Sequence, residues 1–125
     1  MKDTFHGTKI VTSLVPATQT ATLKGDAVDL QGHGSALLAV STGAIAGSGL
    51  FDVKLQDSDT TTDGDFADVA AADLLGSLPA SLAASTVYRQ GYIGSKRYVR
   101  AAITKQSGTS IASSAVFILE HPALV

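Results

Sequence analysis

Leu50-Phe51-Asp52-Val53-Lys54-Leu55-Gln56 alternates apolar and polar residues without a break. An extended chain puts Phe51, Val53 and Leu55 on one face and Asp52, Lys54 and Gln56 on the other. A helix would scatter the same three apolar side chains around its circumference. The stretch therefore reads as a strand with one face in a core and one in water. Arg97 to Ile103 repeats the pattern, with Val99, Ala101 and Ile103 opposite Tyr98 and Arg100. Ser114 to Glu120 differs. Its centre, Ala-Val-Phe-Ile-Leu, is apolar without alternation, which predicts a strand covered on both sides. Ala36 to Val40 reads similarly.

Weaker strands are expected at Lys9 to Leu14, Thr20 to Lys24, Val28 to Leu30, Phe66 to Val69 and Thr86 to Ile93. Glycine-bearing turns separate them, among them Lys24-Gly25-Asp26, Gly47-Ser48-Gly49, Asp63-Gly64-Asp65 and Ser107-Gly108. Ile93-Gly94-Ser95-Lys96 suggests a tight hairpin joining the strands on either side. Ala70 to Leu75 departs from the pattern and predicts one helical turn, stopped by Gly76 and Pro79. Many short strands with almost no helix indicate an all-β fold, a β-sandwich or jelly-roll-like arrangement. The expected organisation is one domain over residues 1–125, with 1–8 and 120–125 as extended arms. Pro122 is expected to stop ladder pairing at the C-terminal end.

A chain of 125 residues can bury about two-thirds of its unfolded surface, enough for one core without staples. It has no cysteine, which rules out disulfides, Cys-type zinc sites and a thiol nucleophile. Behind Met1 and Lys2 there is no apolar run of the secretory kind, so synthesis and retention in a cytoplasm are expected, with release by lysis. Ser35 to Leu55 is interrupted by Gly43, Gly47, Gly49, Asp52 and Lys54, so no membrane span is expected there. Charged residues make up 16%, against about a quarter in ordinary soluble domains, leaving a surface of small residues suited to protein contact. A net charge of -2 argues against capture of nucleic acid.

No catalytic, cofactor-binding or metal-binding residues are assigned, and no enzyme activity is expected. The acidic stretch Asp57 to Asp68 has the oxygen donors a calcium ion needs. Counted as an EF-hand loop from Asp59, however, its twelfth position is Ala70, where a glutamate is required. A solvated hairpin loop is the preferred reading. His6, His33 and His121 share no metal-ligand spacing. Gly32-His33-Gly34-Ser35 lacks the order of a nucleophile elbow, and Gly94-Ser95-Lys96 lacks that of a phosphate loop.

Charge sign is segregated along the chain. From Asp57 to Asp73 every charged residue is acidic, and from Arg89 to Lys105 every one is basic, with Tyr88, Tyr92 and Tyr98 interspersed. If the two strands there form a hairpin, Arg89, Tyr92, Lys96, Tyr98 and Arg100 become an interface of the residue types that most often anchor protein contacts. The competing reading is a solvated face whose tyrosines cap the core. Phe5, Leu124 and Val125 complete the expected interface from the arms. The two charge blocks also suit head-to-tail contact between copies.

Val28-Asp29-Leu30-Gln31-Gly32, Val53 to Asp59 with Phe66-Ala67-Asp68-Val69, and Gly91-Tyr92-Ile93-Gly94-Ser95-Lys96-Arg97-Tyr98-Val99-Arg100 together resemble a family of small tailed-phage proteins. The resemblance spans residues 20–120 approximately and is most specific in its last run. It implies a virion structural component: a decoration (cement) protein bound to the major capsid protein of an HK97-like shell. Self-association is implied too, a trimer ahead of a dimer, with the protein on the capsid surface of virions assembled in the host cytoplasm. A tail or head-tail connector subunit is the first alternative. A carbohydrate-binding β-sandwich is the second, disfavoured by the absence of tryptophan and the presence of only three tyrosines.

Overall fold

A computed structural model of the chain describes residues 7–33 and 35–120. The strands are β1 (Thr8–Gln19), β2 (Leu23–Lys24), β3 (Val28–Asp29), β4 (Ser35–Ala46), β5 (Leu50–Ser58), β6 (Ala67–Asp68), β7 (Leu74–Leu75), β8 (Val87–Tyr92), β9 (Tyr98–Ser107) and β10 (Ser110–Glu120). Single 3-10 turns occupy Asp63–Asp65 and Ala71–Asp73. The expected helical turn at Ala70 to Leu75 is thus shorter than predicted and gives way to β7, whose Leu74 and Leu75 pair with Tyr92 and Gly91.

The strands form two antiparallel sheets, ordered β1-β10-β4-β8-β7 and β2-β9-β5-β6, with β3 also on β9. The fold is an all-β sandwich. Its pairs are nested about the turn between β5 and β6. Moving outward from that turn, β5 pairs β6, β4 pairs β8, β2 and β3 pair β9, and β1 pairs β10. The chain is therefore one long hairpin rolled over on itself, the jelly-roll arrangement. The roll brings β10 against β4 and β9 against β5, the ladders that make each sheet continuous.

Rolling also dictates which expectation fails. β8 and β9 follow each other in sequence but lie in opposite sheets, so Ile93 to Lys96 crosses between layers and forms no hairpin. The expected Tyr/Arg hairpin surface does not exist. By contrast, the acidic stretch does lie between paired strands, with Gln56 opposite Asp68 and Asp57 opposite Ala67.

The core lies between the sheets. Phe51, Val53 and Leu55 of β5 and Val99, Ala101 and Ile103 of β9 face Leu38 and Val40 of β4 and Ala115, Phe117 and Leu119 of β10, all buried. Each large apolar side chain of this kind contributes roughly 1.5–3 kcal/mol by leaving water. Along one side Ser13 ties the layers together. A register shift between Thr12 and Leu14 turns Ser13 inward. Its hydroxyl donates to the Asp26 carbonyl at 2.8 Å and accepts the Ala101 amide at 3.0 Å.

β1 runs past the expected end at Leu14 and past Pro16. A second register shift, between Leu14 and Ala17, absorbs the proline. The outer edge of an edge strand is where a residue lacking N–H is tolerated. At the far end, the corner turns after β4 and β9 press on each other. Gly108 has φ +80°, and a Cβ there would run into the Ser48 carbonyl, so that corner requires glycine. Of the expected arms only Gly7, Thr8 and Glu120 are described, and Thr8 and Glu120 are paired within the β1–β10 ladder. Phe5, Leu124 and Val125 lie outside the described residues, as do His6, His121 and Pro122.

Candidate contact surfaces

The two outer faces of the sandwich differ in kind. Over the β2-β9-β5-β6 sheet the acidic loop folds back on the basic strand. Arg100, which alternation places opposite the core-facing side of β9, is only 5% exposed. Its guanidinium donates to Asp63 Oδ1 at 2.6 Å and to Gln56 Oε1 at 2.9 Å, and it lies 4.1 Å above the Phe66 ring. Asp63 also accepts from Lys24 at 3.3 Å. These donors, Arg100 first, hold its carboxyl below the usual carboxylate range.

Lys96 bonds Asp59 at 3.0 Å and Lys54 approaches Asp68 at 3.6 Å. The Asp59 carboxylate raises the Lys96 ammonium above its ordinary pKa. Arg97 grips Asp29 with two nitrogens, at 3.0 and 2.9 Å, and stacks 5.0 Å from the Tyr98 ring. That fork, with the Gln31 amide, lowers the Asp29 carboxyl to about 2. Two ion pairs, Lys96 with Asp59 and Arg100 with Asp63, thus join the two charge blocks within one chain.

This pairing also locates the acidic loop's carboxylates. Asp59, Asp63 and Asp68 face cations, Asp65 accepts the Thr60 hydroxyl, and Asp57 accepts the Tyr92 phenol. Among the described residues no three His, Asp or Glu side chains converge as a metal site would require.

Tyr88, Gln90 and Tyr92 do share a face of β8, as alternation predicts, but it is the inward one. Tyr92 is 4% exposed. Its hydroxyl donates to Asp57 Oδ2 at 2.8 Å and accepts the Lys96 amide at 3.0 Å, pinning the crossing between layers. Burial first, and then the bond to Asp57, push its pKa well above that of an ordinary phenol. Tyr92 and Arg100 are structural in this fold and are withdrawn from the free surface. Lys96 and Tyr98 stay accessible, Tyr98 in part, and Lys96 lines an open cleft of about 580 Å³ together with Leu30, Ile93 and Arg97. Thr8 and Glu120 pair with each other, and Glu120 pairs with Ser35 of this cleft, so both ends of the described chain lie at this end of the sandwich.

Among the described residues, the outer face of the β1-β10-β4-β8-β7 sheet carries no comparable ion pairs. Register aligns its outward residues in rows. One row runs Ile10, Ile118, Leu37, Gly91, Leu75, and the next runs Thr12, Val116, Ala39, Arg89. A third runs Ser114, Ser41, Val87. Ile10, Leu75 and Val87 are 65%, 57% and 72% exposed. The continuous apolar run of β10 is covered on one side only. Ala115, Phe117 and Leu119 face the core, whereas Val116 and Ile118 face outward and are half-buried by their neighbours alone. Of the expected interface residues that are described, Arg89 is the one that stands on this face, exposed, and it makes no ion pair with any described residue. Neither composition nor the charge blocks singled this face out. The signal was the missing alternation in Ser114 to Glu120.

No family model matches the chain, and no curated protein does. Among solved structures, the SPBc2 prophage-derived protein YomS aligns over 90% of this chain and 93% of its own, at 15% identity and TM-score 0.50. That likeness concerns the fold. PirA aligns over 97% of this chain and 99% of its own, at 13% identity and TM-score 0.44. A chain of infectious bursal disease virus, Gx strain, aligns over 94% of this chain but 33% of its own, at 12% identity and TM-score 0.47.

Proposed function

We propose that this protein is a virion structural component that decorates an HK97-like capsid, attaching by contact with the major capsid protein and performing no chemistry. The observation that supports this reading is that Thr8 and Glu120, near the two ends of the described chain, lie side by side. Thr8 lies opposite Glu120, and Glu120 lies opposite Ser35, beside the cleft containing Ile93 and Lys96. Segments 1–6 and 121–125 start from one end of a rigid sandwich, so both can reach the same underlying surface while the body stands above it. The apolar residues Phe5, Leu124 and Val125 in those segments supply area to bury on the shell, offsetting the entropy of ordering them. Many copies on one lattice let modest single contacts sum to firm attachment.

The test is to mix purified protein with undecorated capsids and image them by cryo-electron microscopy. Symmetric density across the shell is expected, lost when residues 1–6 and 121–125 are removed while the far-UV spectrum of the body is unchanged. A bare shell with the full-length chain would refute the reading. Density confined to one vertex would transfer the protein to the connector class.

A further inference from the structure

We infer that the outer face of the β1-β10-β4-β8-β7 sheet is a self-association surface, closed by a second copy of this chain packed face to face about a twofold axis near Leu37. β10 is the starting point. Its sequence is that of a strand covered on both sides, yet the fold covers only one, leaving Val116 and Ile118 beside Leu37 and Ile10. An isolated exposed leucine means little, but a contiguous apolar face on a small domain marks a contact site.

The partner must come to the face, because the edges are closed to strand addition. At one edge β1 carries Pro16, two register shifts and Lys9, whose ladder partner Leu119 places it on the inward side. At the other edge β7 is two residues long. Together with the row Thr8, Glu120, Ser35, the outward rows hold fifteen positions, each about 4.8 Å by about 6.7 Å, and span about 500 Å² per copy. The total of about 1,000 Å² is at the lower limit for a specific interface.

Charge selects a second copy over another occupant. The three rows contain one cation, Arg89, and the next row along holds the anion Glu120, whose carboxylate accepts from the Ser35 hydroxyl at 3.0 Å. Arg89 stands two strands from Glu120 and four residues along, about 10 Å by about 13 Å. Ala39 is the register partner of both Arg89 and Val116, so the midpoint of that diagonal is Leu37, in the middle of the longest apolar row. A twofold axis lying in the interface, through Leu37 and perpendicular to the diagonal, sets each Arg89 against Glu120 of the other copy. It packs Leu37 on Leu37 and crosses the sheets at roughly right angles, one of the two common sheet packings. A patch that matches itself under a twofold is what an isologous dimer requires.

Sedimentation equilibrium from about 5 to about 500 µM tests this, since an interface of this area falls in the weak range. The wild-type chain is expected to show a monomer–dimer equilibrium. Arg89→Glu and Glu120→Arg each strike both symmetric contacts and should weaken dimerisation at least about tenfold. The double charge swap should restore it, and Leu37→Glu should abolish it. All these positions face outward, and circular dichroism melting verifies that the variants fold. A monomer at the highest concentration, an oligomer of three or more, a dimer indifferent to Leu37→Glu, or a double swap that fails to recover would each overturn the inference. The experiment needs no capsid, so its failure is read separately from that of the decoration reading.

Discussion

Arg100→Met tests the claim that the acidic loop is latched to the sheet by one buried cation. Methionine retains the apolar stem over Phe66 but removes the guanidinium. The bond to the Gln56 amide oxygen, made by a charged donor 5% exposed, contributes about 1.5 kcal/mol. The stacking over Phe66 at 4.1 Å contributes about 1 kcal/mol. The Asp63 carboxylate is 64% exposed, so on losing Arg100 it returns to water and adds little to the loss. Methionine packing on the ring recovers about 0.5 kcal/mol. The net expectation is destabilisation by about 2 kcal/mol, or about 8 °C in Tm at about 4 °C per kcal/mol for a chain of this size. Urea titration gives the free energy. Native-state hydrogen exchange should show the Asp65 and Phe66 amides, bonded to the Thr62 and Asp63 carbonyls, losing protection beyond the global change. A loss below about 0.5 kcal/mol with unaltered exchange at those amides would mean that water replaces the guanidinium without penalty, and the latch would not exist.

Two further outcomes follow from the buried polar contacts. The Tyr92 phenol is held protonated in the fold, with its pKa raised by burial and by Asp57, whereas the unfolded chain ionises it near 10. Its contribution is therefore complete below pH 10 and declines as pH rises from there towards the folded pKa. Tyr92→Phe should cost about 1–2 kcal/mol at neutral pH and flatten that alkaline decline, followed by denaturant melts between about pH 8 and about pH 11. Ser13→Ala should cost about 1–3 kcal/mol, since it strands the buried Ala101 amide and breaks the bridge from β1 to Asp26. A variant as stable as wild type in urea would show that the sandwich does not depend on that bridge.

The rhythm of Leu50 to Gln56 and of Arg97 to Ile103 carried the strand assignments and the core faces correctly, because alternation is a property of the extended chain wherever it lies. Alternation in Arg97 to Ile103 and in Tyr88 to Tyr92, joined by an expected hairpin, placed Arg100 and Tyr92 on a free surface, whereas both are buried. Alternation states which residues point the same way, but not whether that side meets water, a loop or the other sheet. Pro16 illustrates the limit from the opposite direction. Locally it argues against a strand, and only the position of β1 at a sheet edge makes it tolerable.

The residues themselves determined that this chain is built of strands, where its core-facing side chains lie, and that β10 has apolar groups on both sides. Tertiary structure alone decided that β8 and β9 part into opposite layers, that the acid block seals the basic strand, and that the second side of β10 stays open. Pairing is chosen by burial summed over the whole rolled hairpin, between segments up to about a hundred residues apart, and the period of any one segment carries no record of its distant partner.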